Sequence, residues 1–527
     1  MGVFLLLVGL VGVAIYLFKR VRRPVPDPTP SDDRTRREDC EVVLQYFADR
    51  FGYTVRSTIS RSEITRLIDE GISVRDLTEL LWNRFFDTPS VHLGTCLIVE
   101  SPVTVPLPDS YRTRHVYMVG RSGSGKTTLL RNLVLQDLYR GAGIGVIAPE
   151  HELLTEEILP FIPEHRWDDV IYVNPADETP ITFNPLHLDP GEDLDRKVDE
   201  NLTALRRIFE EDGATGAPRM DTILRQALYT LIPVPGSTLA DIERLLDRTD
   251  TRFRDAVLAK INDPEAERFW TVTYPAYPRD AHLSVINRLG RFLRPAIVRR
   301  MLCGAGPSLN IRQAMDEGKI LLFNLSDGVL GEANAELLGQ LIVAKIQLAA
   351  MSRADTAAEG RRPFYLYIDE FQHFCGVAGR SYETMLSRAR KYGLGLVLAH
   401  QQTGQIPEPL LKEILGNVST IIAFSLGASD AKRIGREMVG EIGGQPTPLD
   451  TSELLSLSVG EAYAKIGRTV LFLKTSPPPS NPNHEAAREI IRRSRERWGV
   501  GQSLGGSSAA AASPHPLESI DPGTVFA

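Results

Sequence analysis

At 527 residues the chain exceeds one ordinary domain and is long enough to bury more than one core. Its 60 basic and 67 acidic side chains leave a net charge of −7, which argues against a protein that coats nucleic acid through its overall charge and makes any DNA contact local. Four cysteines, Cys40, Cys96, Cys303 and Cys375, show no C-x-x-C spacing; this argues against a zinc site or disulfide framework and fits a reducing compartment.

Residues 2–18 carry no charge, and Lys19, Arg20, Arg22 and Arg23 follow at once. As a helix this stretch spans about 26 Å, near the lower limit for a bilayer core. The basic flank holds that side in the cytoplasm. The pattern predicts a single-pass anchor over 1–19, with the bulk of the chain on the cytoplasmic face of the inner membrane. A cleaved signal peptide fits less well, because its charged n-region and A-x-A site are missing. Residues 20–38, rich in proline and charge, read as a linker.

Residues 39–92 read as a small helical region, with apolar residues at spacings of three and four over 39–81. Next, LGTCLIVE and HVYMVG read as strands. GIGVIA, DVIYVN, KILLFNL, FYLYI, GLVLA and STIIAFS follow, mostly separated by helical patterns. Short apolar strands alternating with helices predict an α/β fold with a parallel sheet. That domain is expected over 93–188 and 318–477. The interval 189–317 has helical patterns only and reads as an all-α insertion. A basic helix is expected within 478–498 and a low-complexity, disordered tail over 499–527.

The strand HVYMVG runs into Gly120, Arg121, Ser122, Gly123, Ser124, Gly125, Lys126, Thr127 and Thr128, and a helix follows. The first eight match G-x-x-x-x-G-K-[ST] in full. Glycines let backbone N–H groups converge on phosphates, Lys126 adds a charge, and the Thr127 hydroxyl is placed for Mg2+. The motif together with its strand and helix predicts an ATP-binding P-loop.

The strand FYLYI ends in Asp369 and Glu370. In such an enzyme the first acid bonds the metal or its water, and the second takes a proton from the attacking water. Downstream, GLGLVLA ends at His400, Gln401 and Gln402. Gln401 could touch the γ-phosphate or position water, or it is an ordinary loop residue. Arg390 is either a charge at a helix end or an arginine finger reaching a neighbouring subunit.

In order, GRSGSGKTT, VNPADETPITFNPL, a helical insertion, MDEGKILLFNLS, LYIDEFQHF, ARKYGLGLVLAHQQTGQI and GEAYAKIGR resemble the VirD4/TraG-type coupling ATPases of conjugation. More broadly they resemble the FtsK/HerA superfamily of translocases. The resemblance covers about 114–477. It implies a RecA-like domain with an inserted all-α domain, a homohexameric ring, DNA movement through its centre and attachment to the membrane. It places Lys126 and Thr127 at the phosphate loop, Asp369 and Glu370 at the acidic pair, Gln401 at the glutamine after the sensor strand and Arg390 at the position acting in trans. It further implies a type IV secretion channel and a relaxase as partners. The chain departs from the family where D-P-x-G is usual: here Ala148, Pro149, Glu150 and His151 stand instead.

Two basic stretches could meet phosphate: Arg288, Arg291, Arg294, Arg299 and Arg300, and the helix bearing Arg488, Arg492, Arg493, Arg495 and Arg497. Both also read as solvated helices paired with nearby acids, and the second could meet anionic lipid. No aromatic-interleaved basic motif signals base readout, so DNA binding is expected to be independent of sequence. Competing readings are a VirB4-like secretion ATPase, a HerA-like DNA-processing translocase and a slow ATP-gated scaffold that recruits substrates.

Overall fold

The structure is a computed structural model. It describes residues 90–98 and 101–499 apart from 178–179, 190–191, 211–217, 305–307, 376–378 and 443–444, together with 40, 66–72 and 77. The expected anchor, the linker and most of the helical N-terminal region lie outside the described residues, as does the tail from 500 onward.

The strands are β1 (Ser90–Ile98), β2 (Ser101–Pro108), β3 (Val116–Val119), β4 (Gly143–Ala148), β5 (Val170–Val173), β6 (Ile320–Asn324) and β7 (Phe364–Ile368). They continue with β8 (Leu394–His400), β9 (Thr420–Ala423), β10 (Val439–Ile442), β11 (Gln445–Pro448), β12 (Glu461–Ile466) and β13 (Thr469–Thr475). Eleven of them form one sheet in the order β2-β1-β13-β12-β9-β3-β8-β7-β4-β6-β5; β10 and β11 pair separately. From β9 to β5 every pairing is parallel. From β9 through β12, β13 and β1 to β2 every pairing is antiparallel.

The parallel strands are buried on both faces, which is why they read as unbroken apolar runs. In β3, Tyr117 and Val119 join one core while Val116 and Met118 join the other. In β7, Phe364, Leu366 and Ile368 face the first core and Tyr365 and Tyr367 the second. Helix α1 (Lys126–Tyr139) packs in the second core.

Between β5 and β6 the described residues form helices, among them α2 (Leu194–Glu210), α3 (Leu283–Leu293) and α4 (Ala296–Cys303), plus one isolated bridge from Ile181 to Gly499. Helix α5 (Glu332–Ser352) follows β6. The segment Glu332–Asp355 is long and apolar enough to cross a membrane, but it is mostly buried inside the protein.

Two expectations are corrected. β1 opens at Ser90, inside the stretch read as helical. The sheet also gains antiparallel strands β2, β12 and β13, which were not read as strands. β2 carries Pro102, Pro106 and Pro108, and proline demotes a run in any sequence reading; it is tolerated here because β2 is the outermost strand. The expected basic helix is present as α6 (His484–Trp498), and it docks on β5, the sheet's other edge. Ser494 Oγ accepts from the Tyr172 N–H at 2.8 Å, and Arg495 grips both oxygens of Asp177 at 2.7 and 2.8 Å.

Candidate functional site

β3 delivers the chain into a loop of special backbone geometry. Gly123 and Gly125 sit at φ 71° and 110°, in the region glycine tolerates best. Gly120 is needed for space: a Cβ there would lie 2.6 Å from Phe424 Cβ and 2.9 Å from Ser124 Oγ. Neighbouring segments hold the loop. The Arg121 N–H donates to the Ser425 carbonyl at 2.9 Å, and the Gly460 N–H donates to the Ser124 carbonyl at 3.0 Å. Helix α1 starts at Lys126 and points its positive end at the loop, so the two make an anion cradle. Arg121, Ser122 and Gly123 form the exposed rim, and Thr128 lies in the first helical turn.

Lys126 is only 3% exposed, and its Nζ donates to the Arg121 carbonyl at 3.1 Å. Burial lowers its pKa, opposed by the charges of Glu370 and Asp369. Thr127 Oγ1 donates to Asp369 Oδ2 at 3.0 Å across a sequence separation of 242. The glycine-rich loop and the acidic strand end therefore meet in one site.

Asp369 is buried at the end of β7. Burial pushes its carboxyl up to about 6, with the neighbouring Glu370 charge adding to the shift and the Thr127 hydrogen bond opposing it. Glu370 adopts φ 45°, a left-handed conformation that costs a non-glycine residue roughly 1–3 kcal/mol. Both its oxygens are held by amides: Gln401 Nε2 donates to Oε1 at 2.9 Å, and Gln372 Nε2 donates to Oε2 at 2.7 Å.

Thr127, Asp369 and Glu370 are thus joined in one bond network, since the Glu370 N–H donates to Asp369 Oδ1 at 3.0 Å, and the buried Lys126 stands beside it. The Thr127 and Asp369 oxygens are the hard, adjacent donors a magnesium ion takes. The close-fitting glycine backbone leaves a cradle that a side chain at Gly120 would obstruct.

Arg390 is absent from this network. It lies exposed just before β8, whereas Gln401 lies just after it. Seven strand residues place roughly 20 Å between them. Arg390 instead lines a cleft with Arg114, His115 and Lys465. Glu150 is exposed at the end of β4; beside it, Asn324 Nδ2 and His151 Nδ1 form a 2.8 Å hydrogen bond.

Residues 363–447 match the family described as the TraM recognition site of TraD and TraG. The resemblance to conjugative coupling ATPases holds. The plasmid coupling protein TrwB is similar in structure in several states. Its complex with ADP and Mg2+ matches at 18% identity over 73% of this chain and 89% of that one, with a TM-score of 0.55. Its complex with the non-hydrolysable ATP analogue ADPNP matches at 17% identity over 72% and 89%, also at 0.55. An unbound form, TrwBdeltaN70, matches at 17% identity over 73% and 89%, at 0.53. At these identities the likeness shows a shared mixed α/β fold built on a large parallel sheet. No curated protein matches the chain.

Several contact residues carry no signal in the sequence reading. Gln372 belongs to the quoted LYIDEFQHF segment, two residues past Glu370, but nothing in that segment assigns it the contact with Glu370. Gly460 belongs to the quoted GEAYAKIGR segment, but its contact with the phosphate loop needs β12 folded beside β9. His400 stands next to Gln401, yet its partner Tyr117 is 283 residues away.

Proposed function

We propose that this chain is a membrane-anchored, ATP-driven motor that moves DNA, without regard to sequence, toward a type IV secretion channel. It works as a homohexamer at the inner membrane, with the bulk of the chain cytoplasmic and a relaxase among its partners. The single observation that carries the reading is the 3.0 Å bond from Thr127 to Asp369 beside buried Lys126. It supports a triphosphate and a divalent cation bound at one place.

In this reading the loop from Gly120 to Thr128 wraps the phosphates and Lys126 neutralises the β and γ oxygens. Thr127 and Asp369 hold Mg2+, which supplies charge neutralisation on the phosphates when bound. Glu370 accepts the proton of the attacking water, and Gln401 orients that water beside it. Arg390, distant from its own site, serves the nucleotide of a neighbouring subunit. Two findings in relatives support the reading: TrwB's complexes with nucleotide, and the TraM recognition description carried by the family that matches 363–447.

The test is ATP turnover by the chain with and without single- and double-stranded DNA. We expect stimulation by DNA, and a loss of roughly 10²-fold or more in Lys126→Ala. Turnover that ignores both kinds of DNA overturns the translocation reading.

A further inference from the structure

Gln401 reaches Glu370 from the end of β8, and what fixes that strand end is the residue before it. His400 is completely buried. Its Nε2 and the Tyr117 hydroxyl form a 2.5 Å hydrogen bond, with the ring centroids 5.2 Å apart. Its other neighbour is Phe371, packed edge-on at 5.0 Å, and Phe371 directly follows Glu370. Its backbone pairs with Val119 in the β3–β8 register, and its carbonyl accepts from the Gly120 N–H at 3.4 Å.

One side chain therefore touches the strand that feeds the phosphate loop and the turn that carries Glu370, while its own strand end carries Gln401. Burial drives the imidazole pKa down to about 3, so the ring is neutral throughout the physiological range. A neutral ring has one acceptor nitrogen, which suits the Tyr117 O–H as donor. Simple core packing would be served by leucine or phenylalanine. A buried histidine bonded to a buried tyrosine instead fixes one ring orientation at a polar cost.

We propose that His400, locked by Tyr117, is a positioning residue that sets Gln401 against Glu370 and so times water attack to the state of the phosphate loop. This rests on the roles given above to Glu370 and Gln401. It predicts that the pair affects turnover rather than nucleotide binding.

The experiment measures kcat and the affinity for a non-hydrolysable ATP analogue in the full chain. In Tyr117→Phe and His400→Phe, kcat falls about tenfold, the value of one lost hydrogen bond. Analogue affinity stays within about twofold of the parent, since binding energy is not what the bond controls. His400→Gln, whose amide oxygen can replace Nε2 as acceptor, recovers much of the loss. A double-mutant cycle separates positioning from general stability. If His400 acts through Gln401, His400→Phe/Gln401→Ala is no slower than Gln401→Ala alone. Multiplying losses in the double variant overturn the inference, as does an analogue affinity that falls in step with kcat. A Gln401→Ala variant with normal turnover removes the assigned role of Gln401 and this inference together. A slow Gln401→Ala beside an unaffected His400→Phe removes this inference alone.

Discussion

Lys345 shows how much a single residue can be made to endure. It stands on α5, buried where that helix meets α2, and its Nζ donates to Asn201 Oδ1 at 3.0 Å. Burial and then the nearby Lys197 charge pull its pKa down to about 7, with Glu200 and Glu192 opposing. In the unfolded chain the amine titrates near 10.4. Between those values the unfolded state binds one more proton than the folded state, so stability rises with pH across the window. The full penalty applies below pH 7 and fades as pH climbs toward 10. Lys345→Met removes the titrating group. We therefore expect the parent chain to gain on Lys345→Met by about 1 kcal/mol per pH unit from pH 7 to 9. Urea melts of both proteins at pH 7, 8 and 9 measure it. A constant difference would mean that the amine stays charged in the folded state over the whole range.

At the scale of elements, legibility followed burial. β3, β7 and β8 were visible in the sequence because both faces are covered, leaving unbroken apolar runs such as Phe364 to Ile368. Thr127 and Asp369 were legible for a different reason: phosphate and metal chemistry fixes residue types, so their meeting could be expected before it was seen. β12 escaped because Lys465 interrupts its few apolar residues, and the four apolar residues Val470 to Leu473 of β13 make a run too short for periodicity to mark as strand. Helix α6 was seen as a helix, but its docking was not, because a run of arginines and glutamates reads the same whether it is solvated or anchored. The structure separates the two kinds of arginine. Arg492 pairs within its own helix with Glu489 and Glu496. Arg495 reaches off the helix to the buried Asp177 carboxylate, which also accepts from Asn174 Nδ2 at 2.8 Å. Removing Arg495 strips a carboxylate that has little access to water, whereas removing Arg492 leaves two that are solvated, one of them still paired with Arg493. Arg495→Ala should cost about 1–3 kcal/mol and speed amide exchange across α6. Arg492→Ala should leave stability nearly unchanged, because its pairs are solvated. Thermal melts with hydrogen exchange distinguish them, and equal costs would mean that α6 is held by its apolar face alone.

For the whole molecule, the two ends of β8 carry the argument. Gln401 belongs to the chain's own phosphate site, while Arg390 lies at the opposite end of the same strand in a cleft with Arg114 and Lys465. A long arginine reaches about 7 Å from its backbone, far short of the roughly 20 Å along the strand. If Arg390 contributes to hydrolysis, it must do so across a contact between copies. Arg390→Ala should then lose turnover by about 10³-fold while its own analogue binding stays intact. Lys126→Ala should lose turnover because its own site is broken, yet still present a sound Arg390 to a neighbour. Mixed together, the two inactive proteins create contacts in which an intact phosphate loop faces an intact arginine. Activity should reappear in the mixture, rise with total concentration and peak near equal proportions. Mixtures that stay inactive despite exchange of subunits, shown by energy transfer between labelled copies, would return Arg390 to the role of a surface charge.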